Sequence, residues 1–180
     1  IKGRKSHKIV QQGLEILDRL THRGAVGADP KAGDGAGILM QIPDQFFREE
    51  AGVELPQEGA YAVGMLFLPQ NDASRAQCIA SLEKLILAEG QQILGWRDVP
   101  VDNSGLGVSV APSEPVTKQI FVGRGENCAD QDSFERKLFV IRKQIEKQIR
   151  DSALEGSYSF YFSSFSSRTL VYKGMLLSGQ

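Results

Sequence analysis

The sequence predicts an α+β fold, and two patterns of apolar residues carry that prediction. An amphipathic helix, a glycine-rich loop and an apolar strand follow one another across residues 8–42. Residues 61–165 then show two strand–helix–strand units in succession, which is the split βαβ pattern. We therefore expect residues 1–60 to begin a core, residues 61–165 to form a layered βαββαβ-like insertion, and residues 166–180 to return to the core in a domain that continues beyond the chain.

The first helix is predicted over Lys8–Leu20, with Ser6 as its N-cap and Gly24 as the residue that ends it. Its apolar residues recur at helical spacing, and we expect this stripe to be a core face: Ile9, Val10, Leu14, Leu17 and Leu20. The apolar run Gly37–Ile42 follows the glycine-rich loop, and it has the length and content of a buried strand.

Prolines, glycines and capping residues delimit the later elements. Helices are predicted over 45–51, 72–89 and 134–150, with Asp44 capping the first, Asn71 or Asp72 the second and Asp132 or Ser133 the last. The predicted strands are Tyr61–Leu68, Gln92–Val99, Gln119–Val122, Ser157–Phe165 and Arg168–Leu176. The aromatic residues of the fourth strand could stack on nucleic-acid bases, but no basic residues surround them, so core and cross-strand packing is favoured.

The composition argues against several classes of partner. The net charge is −1, with 41% hydrophobic and 24% charged residues, which gives no electrostatic argument for nucleic acid or an anionic membrane. No apolar run approaches the roughly 20 residues needed to span a bilayer. The two histidines show no metal-binding spacing. Cys78 and Cys128, the two cysteines, are expected to be reduced thiols.

The loop between the first helix and the first strand combines glycine with fixed charge, which is typical of a site or its support. Arg23 could hold a carboxylate through paired hydrogen bonds, or it could form a salt bridge with Asp29 or Asp34 that fastens the loop. Gly33–Gly37 resembles a phosphate loop, but an apolar strand follows where that motif requires a lysine and a helix. A tight structural turn is therefore the favoured interpretation.

Several segments carry a resemblance to a known family. The stretch "HRGAVGAD" with "GDGAGI", together with "GWRDVPVD", "FERKLFVIRKQIEK" and "SSRTLVYKGML", resembles the start of glutamate synthase large subunits. That region is their class II glutamine amidotransferase domain, an N-terminal-nucleophile hydrolase. The resemblance covers nearly the whole chain. It implies that the chain forms part of a four-layer αββα sandwich.

The resemblance also implies a reaction for the parent protein, a glutamine-hydrolysing oxidoreductase. An amino-terminal cysteine thiol attacks the side-chain amide of L-glutamine, its own α-amine acts as the base, and ammonia passes to 2-oxoglutarate to make L-glutamate. FMN and an iron–sulfur cluster are implied for the parent, and no cofactor is expected in this chain. The expected partners are the remaining synthase domains and a small electron-transfer subunit or ferredoxin. The expected location is the cytoplasm or, alternatively, a plastid.

The family's working residues are not matched within these residues. The nucleophile is expected before Ile1, and the arginine that clamps glutamine and the oxyanion Asn-Gly pair are expected beyond Gln180. Three residues carry over as pocket support: Arg23, Gly24 and Asp34. No residue here is predicted as nucleophile, base, oxyanion donor or metal ligand, so the chain alone is expected not to hydrolyse glutamine. The alternatives are a non-catalytic regulatory or interaction module of the same fold, and a stand-alone ferredoxin-like ligand-binding domain over residues 61–165.

Overall fold

A computed structural model describes residues 3–25 and 28–177 of the chain, so the last three residues of the predicted return segment lie outside the described part. The helices are α1 (His7–Arg19), α2 (Asp44–Glu50), α3 (Asp72–Ala88) and α4 (Gln131–Arg150). The strands are β1 (Ala36–Gln41), β2 (Tyr61–Leu68), β3 (Gln92–Asp98), β4 (Val116–Gly123), β5 (Tyr161–Ser166) and β6 (Thr169–Gly174). Short 3-10 turns lie at Thr21–Arg23, Ala111–Ser113 and Ser157–Ser159.

The chain forms two compact units whose boundaries differ from the predicted segments. The first unit comprises Ile1–Gln41, Val101–Glu114 and Val171–Gln180, and the second comprises Ile42–Pro100 and Pro115–Leu170. Residues 42–60 join the second unit because Phe47 of α2 is fully buried against Phe121 of β4, with ring centroids 5.1 Å apart. The assignment of residues 61–165 as an insertion into a family core stays a prediction.

The second unit has the predicted βαββαβ order. Its four strands lie in the order β3-β4-β2-β5, and each neighbouring pair is antiparallel. Strand β4 extends over Val116–Gly123 rather than only 119–122, because it pairs along its whole length with β2 and also with β3. Strand β5 begins later than predicted, because Ser157–Ser159 forms a 3-10 turn before it.

Helices α3 and α4 provide most of the core of the second unit. Fully buried side chains recur along both helices at helical spacing: Cys78, Leu82, Ile86, Phe134, Leu138, Ile141 and Ile145. Phe160, just before β5, and Phe162 and Phe165 within it complete this core, with Phe160–Phe162 and Phe162–Phe165 ring centroids 5.7 Å and 5.1 Å apart. The packing interpretation is confirmed for these three buried rings, while Tyr161 is exposed and stacks on Phe67.

Two of the predicted helix caps are wrong, and two are confirmed. Asp130, rather than Asp132 or Ser133, caps α4, and its side chain accepts a hydrogen bond from the Ser133 backbone in a capping box. Asp44 lies inside α2, where its carboxylate binds Arg48 and accepts a hydrogen bond from the Tyr61 hydroxyl. The Asn71 side chain caps α3 as expected. Ser6 is the N-cap of α1 as expected, without a side-chain hydrogen bond.

The first unit contains the two-stranded sheet formed by β1 and β6, with α1 packed on β1. The prediction that the apolar stripe of α1 is a core face is wrong for most of its residues. Val10 and Leu17 are half-buried, and no residue of α1 is fully buried. The expected buried strand β1 instead alternates half-buried and exposed residues. Two strands are too few to cover the stripe of a 13-residue helix. None of the described helices is long and apolar enough to cross a membrane.

Candidate functional site

The predicted pocket-support residues follow the end of α1 directly. Leu20 is the C-cap of the helix, and Thr21–Arg23 continues it as a single 3-10 turn. The Thr21 hydroxyl donates to the Asp18 carbonyl at 2.5 Å, and His22 Nδ1 lies 3.0 Å from the Arg19 carbonyl. These local bonds occupy helix-end carbonyls, so the turn that carries Arg23 has a defined shape. Gly24 then leaves the turn in extended conformation.

Gly24 and Asp34 lie next to each other across the loop. A Cβ atom built on Gly24 would stand 3.6 Å from Asp34 Oδ1 and 3.5 Å from the Thr21 carbonyl oxygen. The structure therefore brings two of the three predicted support residues together, although nine residues separate them in sequence. Their proximity places a carboxylate at the exit of the 3-10 turn.

Arg23 has an exposed side chain, and its predicted alternative partners are engaged elsewhere or not in reach. Within residues 3–25 and 28–177, no ion pair joins Arg23 to Asp29 or Asp34. The salt-bridge interpretation of Arg23 is therefore wrong. A guanidinium held on a short turn without a carboxylate partner keeps its hydrogen-bonding fork available to a ligand.

Asp29 binds a segment that sequence analysis does not connect with this loop. Its Oδ2 accepts hydrogen bonds from the Ser109 backbone N–H at 3.0 Å and the Ser109 hydroxyl at 2.7 Å. These bonds, and one from the Lys31 N–H, lower the pKa of the Asp29 carboxyl below its ordinary value of 3.8. Eighty residues separate Asp29 from Ser109. The Asp-Pro-Lys sequence indicates a turn at Asp29, but it does not predict that Ser109 is the hydrogen-bond partner.

The glycines of the loop permit the close approach of β6. A Cβ on Gly33 would lie 2.4 Å from the Leu176 carbonyl oxygen, and one on Gly37 would lie 2.7 Å from Lys173 Cβ. Gly35 has a φ of +118°, which side chains rarely adopt. Strand β1, not a helix, follows these glycines. The tight-turn interpretation is confirmed, and a phosphate loop is wrong.

The cysteines offer no nucleophile near this loop. Cys78 and Cys128 are free and buried, and both belong to the core of the second unit. Burial raises the pKa of the Cys78 thiol, which disfavours its reactive thiolate. Among the residues the structure describes, no group of three or more His, Cys, Asp or Glu side chains could hold a metal ion.

Comparison with known proteins decides the family. The family model described as "Glutamine amidotransferases class-II" matches residues 1–180. The chain belongs to the class II glutamine amidotransferases. The family resemblance carried by the His-Arg-Gly stretch is thereby confirmed, and the α+β content agrees with it.

Curated relatives of this amidotransferase chain are glutamate synthases. It is 46% identical over 181 residues to the glutamate synthase (NADPH) large chain of Bacillus subtilis, covering 100% of this chain and 12% of that protein. It is 39% identical to the corresponding large chain of Azospirillum brasilense, and the match again covers 100% of this chain and 12% of that protein. It is 36% identical to ferredoxin-dependent glutamate synthase 2 of Synechocystis sp., and the match covers 99% of this chain and 11% of that protein. The chain thus spans about one-eighth of the length of these relatives.

Proposed function

We propose that this chain is part of the glutaminase domain of a glutamate synthase, which releases ammonia from L-glutamine for transfer to 2-oxoglutarate. The observation that carries the proposal is the match of the whole chain to class II amidotransferases, together with 46% identity to a glutamate synthase large chain. The αββα sandwich belongs to the same proposal, with α1 and the β1–β6 sheet contributing one helix layer and part of one sheet layer.

Arg23, Gly24 and Asp34 support the glutamine pocket in this proposal. Arg23 acts in it as support beside the nucleophile pocket, and the arginine that clamps glutamine is expected beyond Gln180. Arg23 is exposed and forms no ion pair with Asp29 or Asp34 among the described residues, so its charge is free to support neighbouring groups of the pocket. The carboxylate of Asp34 stands 3.6 Å from the site of a Cβ on Gly24.

The bond-breaking groups are expected outside residues 1–180. A cysteine thiol activated by its own α-amine would attack the amide carbon, ammonia would leave, and water would hydrolyse the thioester. Oxyanion donors would stabilise the tetrahedral intermediates. Neither Cys78 nor Cys128 is placed for this chemistry, since both lie in the core of the second unit. A polypeptide of these 180 residues is therefore expected to release no ammonia.

The cofactors of the proposed parent would lie in its other domains. Fe–S clusters are held by four cysteine thiolates, and this chain has two cysteines, both buried in one apolar core. FMN would accompany the cluster at the site that receives the ammonia. The electron donor would reach them through a small subunit or ferredoxin. The cytoplasm is the proposed location, with a plastid as the alternative.

The test uses the full-length protein that contains these residues. We expect it to release ammonia from L-glutamine and to form glutamate when 2-oxoglutarate and an electron donor are present. Arg23→Ala should raise the KM for glutamine about tenfold, because it removes a charged group that supports the substrate pocket. Arg19→Ala is the matched control, since Arg19 pairs with Glu15 on the exposed side of α1 and should leave the KM unchanged.

A full-length protein that binds no glutamine and releases no ammonia would overturn the proposal in favour of the non-catalytic module. Equal KM values for Arg23→Ala and Arg19→Ala would remove Arg23 from the pocket while leaving the family assignment intact. Ammonia release in proportion to the concentration of the 180-residue polypeptide would show that the nucleophile lies within it.

A further inference from the structure

The Asp29 carboxylate joins two segments of the first unit. Its Oδ1 accepts a hydrogen bond from the Lys31 N–H at 3.0 Å, which closes a local turn. Its Oδ2 accepts from both the N–H and the hydroxyl of Ser109, at 3.0 Å and 2.7 Å. One oxygen therefore shapes the loop after α1, and the other reaches the segment Val101–Glu114. Two donors of one residue converge on a single oxygen, so the orientation of Ser109 follows from this contact.

Gly107 is shaped to receive the same carboxylate. A Cβ atom on Gly107 would lie 2.3 Å from Asp29 Oδ2 and 2.7 Å from its Cγ, so any side chain there would displace Asp29. The Gly107 carbonyl accepts hydrogen bonds from the Val110 and Ala111 N–H groups at 3.1 Å and 3.0 Å. These bonds close the turn that presents Ser109. A glycine at the contact point and a turn behind it are observations independent of the hydrogen bonds of Asp29.

The loop that contains Asp29 is rich in glycine, so a long-range contact contributes to holding it in place. It lies between α1 and β1, and it carries Gly24 on one side of Asp29 and Gly33, Asp34 and Gly35 on the other. Glycine-rich backbone loses more conformational entropy on ordering than other sequences, so local turns alone hold it weakly. A long-range contact at Asp29 restrains the described residues 28–34, and Asp34 at their end lies beside Gly24.

We propose that Asp29 is a positioning residue for the glutamine site, because its carboxylate ties Val101–Glu114 to the loop that carries Arg23, Gly24 and Asp34. This inference rests on the proposed function. Asp29 touches no substrate in it, and it acts by holding the loop from which Arg23 projects. Its loss therefore affects the binding of glutamine more than the chemical step.

The test compares two carboxylates of the full-length protein by amide substitution. Asp29→Asn leaves one acceptor oxygen for the donors of Lys31 and Ser109, so an amide N–H must face one of the two sets and weaken the tie, while the side chain keeps its size. We expect the KM for glutamine to rise about three- to tenfold, with kcat changed less than about twofold. Amide hydrogen exchange should accelerate in residues 28–34 and 101–114 together. Gly107→Ala should reproduce both effects from the other side of the contact.

Asp102→Asn is the matched control. The Asp102 carboxylate accepts hydrogen bonds from the Ser104 N–H at 3.0 Å and its hydroxyl at 2.6 Å, within one turn of the same segment. Its substitution should leave both the KM and the exchange of residues 28–34 unchanged.

Two results would overturn the inference. Unchanged KM and exchange in Asp29→Asn would show that the tie does not restrain the loop. Equal losses of kcat and kcat/KM, with faster exchange in the core of the second unit, would show a general folding defect. If the unsubstituted protein releases no ammonia, the proposed function fails and the role in glutamine binding fails with it. The exchange of the two segments then still decides whether Asp29 ties them together.

Discussion

The two compact units differ in how their apolar residues are used. In the second unit, α3 and α4 bury side chains at every turn, and the sheet between its edge strands is almost wholly inaccessible. In the first unit, Ile9, Leu14, Ile16 and Leu20 of α1 are between 45% and 60% exposed, and Leu39 of β1 is 67% exposed. The same kind of amphipathic pattern thus gives a core in one unit and a largely open face in the other.

The difference teaches that the candidate site lies in the less densely packed unit. The first unit is held by strand pairing, close glycine contacts and the hydrogen bonds of Asp29 rather than by a large buried core. The second unit is held by a large buried apolar core. Regions with few buried apolar contacts open locally at lower free energy, and loops that bind ligands commonly belong to such regions.

The largest expected effect is the loss of a side chain from the core of the second unit. Leu82→Ala should lower the free energy of unfolding by about 2–5 kcal/mol, because Leu82 is fully buried and its removal leaves a cavity. Urea unfolding followed by fluorescence of Trp96, the single tryptophan, measures this directly, since Trp96 lies on β3 and donates to Glu83 at 2.8 Å.

Two controls sharpen this prediction. Leu87→Ala on the same helix should change the free energy by less than about 0.5 kcal/mol, because Leu87 is 59% exposed. Leu17→Ala on the half-buried face of α1 should cost only about 1 kcal/mol, followed by hydrogen exchange in α1 and β1 because Trp96 reports on the second unit. Equal losses at Leu82 and Leu17 would abolish the contrast between the two units.

An intermediate effect is expected where β6 approaches the glycine-rich loop. Gly33→Ala should destabilise the β1–β6 pairing by about 1–3 kcal/mol, because its Cβ would lie 2.4 Å from a backbone oxygen of Leu176. Hydrogen exchange should accelerate in Ala36–Gln41 and Thr169–Gly174, while the urea transition of Trp96 stays in place.

Gly24→Ala is the matched control for this change. Its Cβ would meet only ordinary contacts at 3.5 Å and 3.6 Å, and its φ of −75° suits any residue. The exchange of both strands should therefore remain as in the unsubstituted protein. A shift of the Trp96 transition in Gly33→Ala would mean that the two units unfold as one.

The smallest expected effect is electrostatic and lies in the second unit. Lys137 binds Glu89 at 2.7 Å and lowers the pKa of its carboxyl below the ordinary value of 4.5. A depressed carboxyl pKa contributes stability above pH 4.5, and this stability is lost as the pH falls through the lower folded-state pKa. Both side chains remain partly exposed, so the contribution is under about 1 kcal/mol.

Glu89→Gln tests this assignment. The difference in unfolding free energy between the two proteins should be greatest near neutral pH and should shrink as the pH falls below 4.5 and through the lower folded-state pKa. Glu155→Gln, which removes the carboxylate that the Asn71 amide binds, serves as a control without a lysine partner. A difference that persists unchanged at pH 3 would show that the Lys137 contact is not its source.

Local chemistry explains why most elements of the second unit are predictable. Proline ends the runs at residues 43, 69 and 100, and Gly90, with a φ of +73°, follows α3. The period of the apolar residues then separates strand from helix. The extent of β4 is not predictable in this way, because its first residues are held by pairing with β2 rather than by their own preference.

The candidate site shows the same division. The His-Arg-Gly stretch and its glycine-rich loop are recognisable from residue types alone, and the family match agrees with that recognition. Residue types alone do not predict that Asp34 lies beside Gly24 or that Ser109 lies beside Asp29. Each of these contacts depends on how the chain returns to the loop. The roles of Arg23, Gly24 and Asp34 in a glutamine pocket stay predictions.

The sequence by itself determined the family, the order of helices and strands and the turn at Gly33–Gly37, since these depend on short-range sterics, periodicity and motif spacing. Only the tertiary structure decided which apolar faces are covered and which partner each charged side chain binds. Burial and long-range hydrogen bonds arise from residues that are distant in the chain, so no local pattern specifies them.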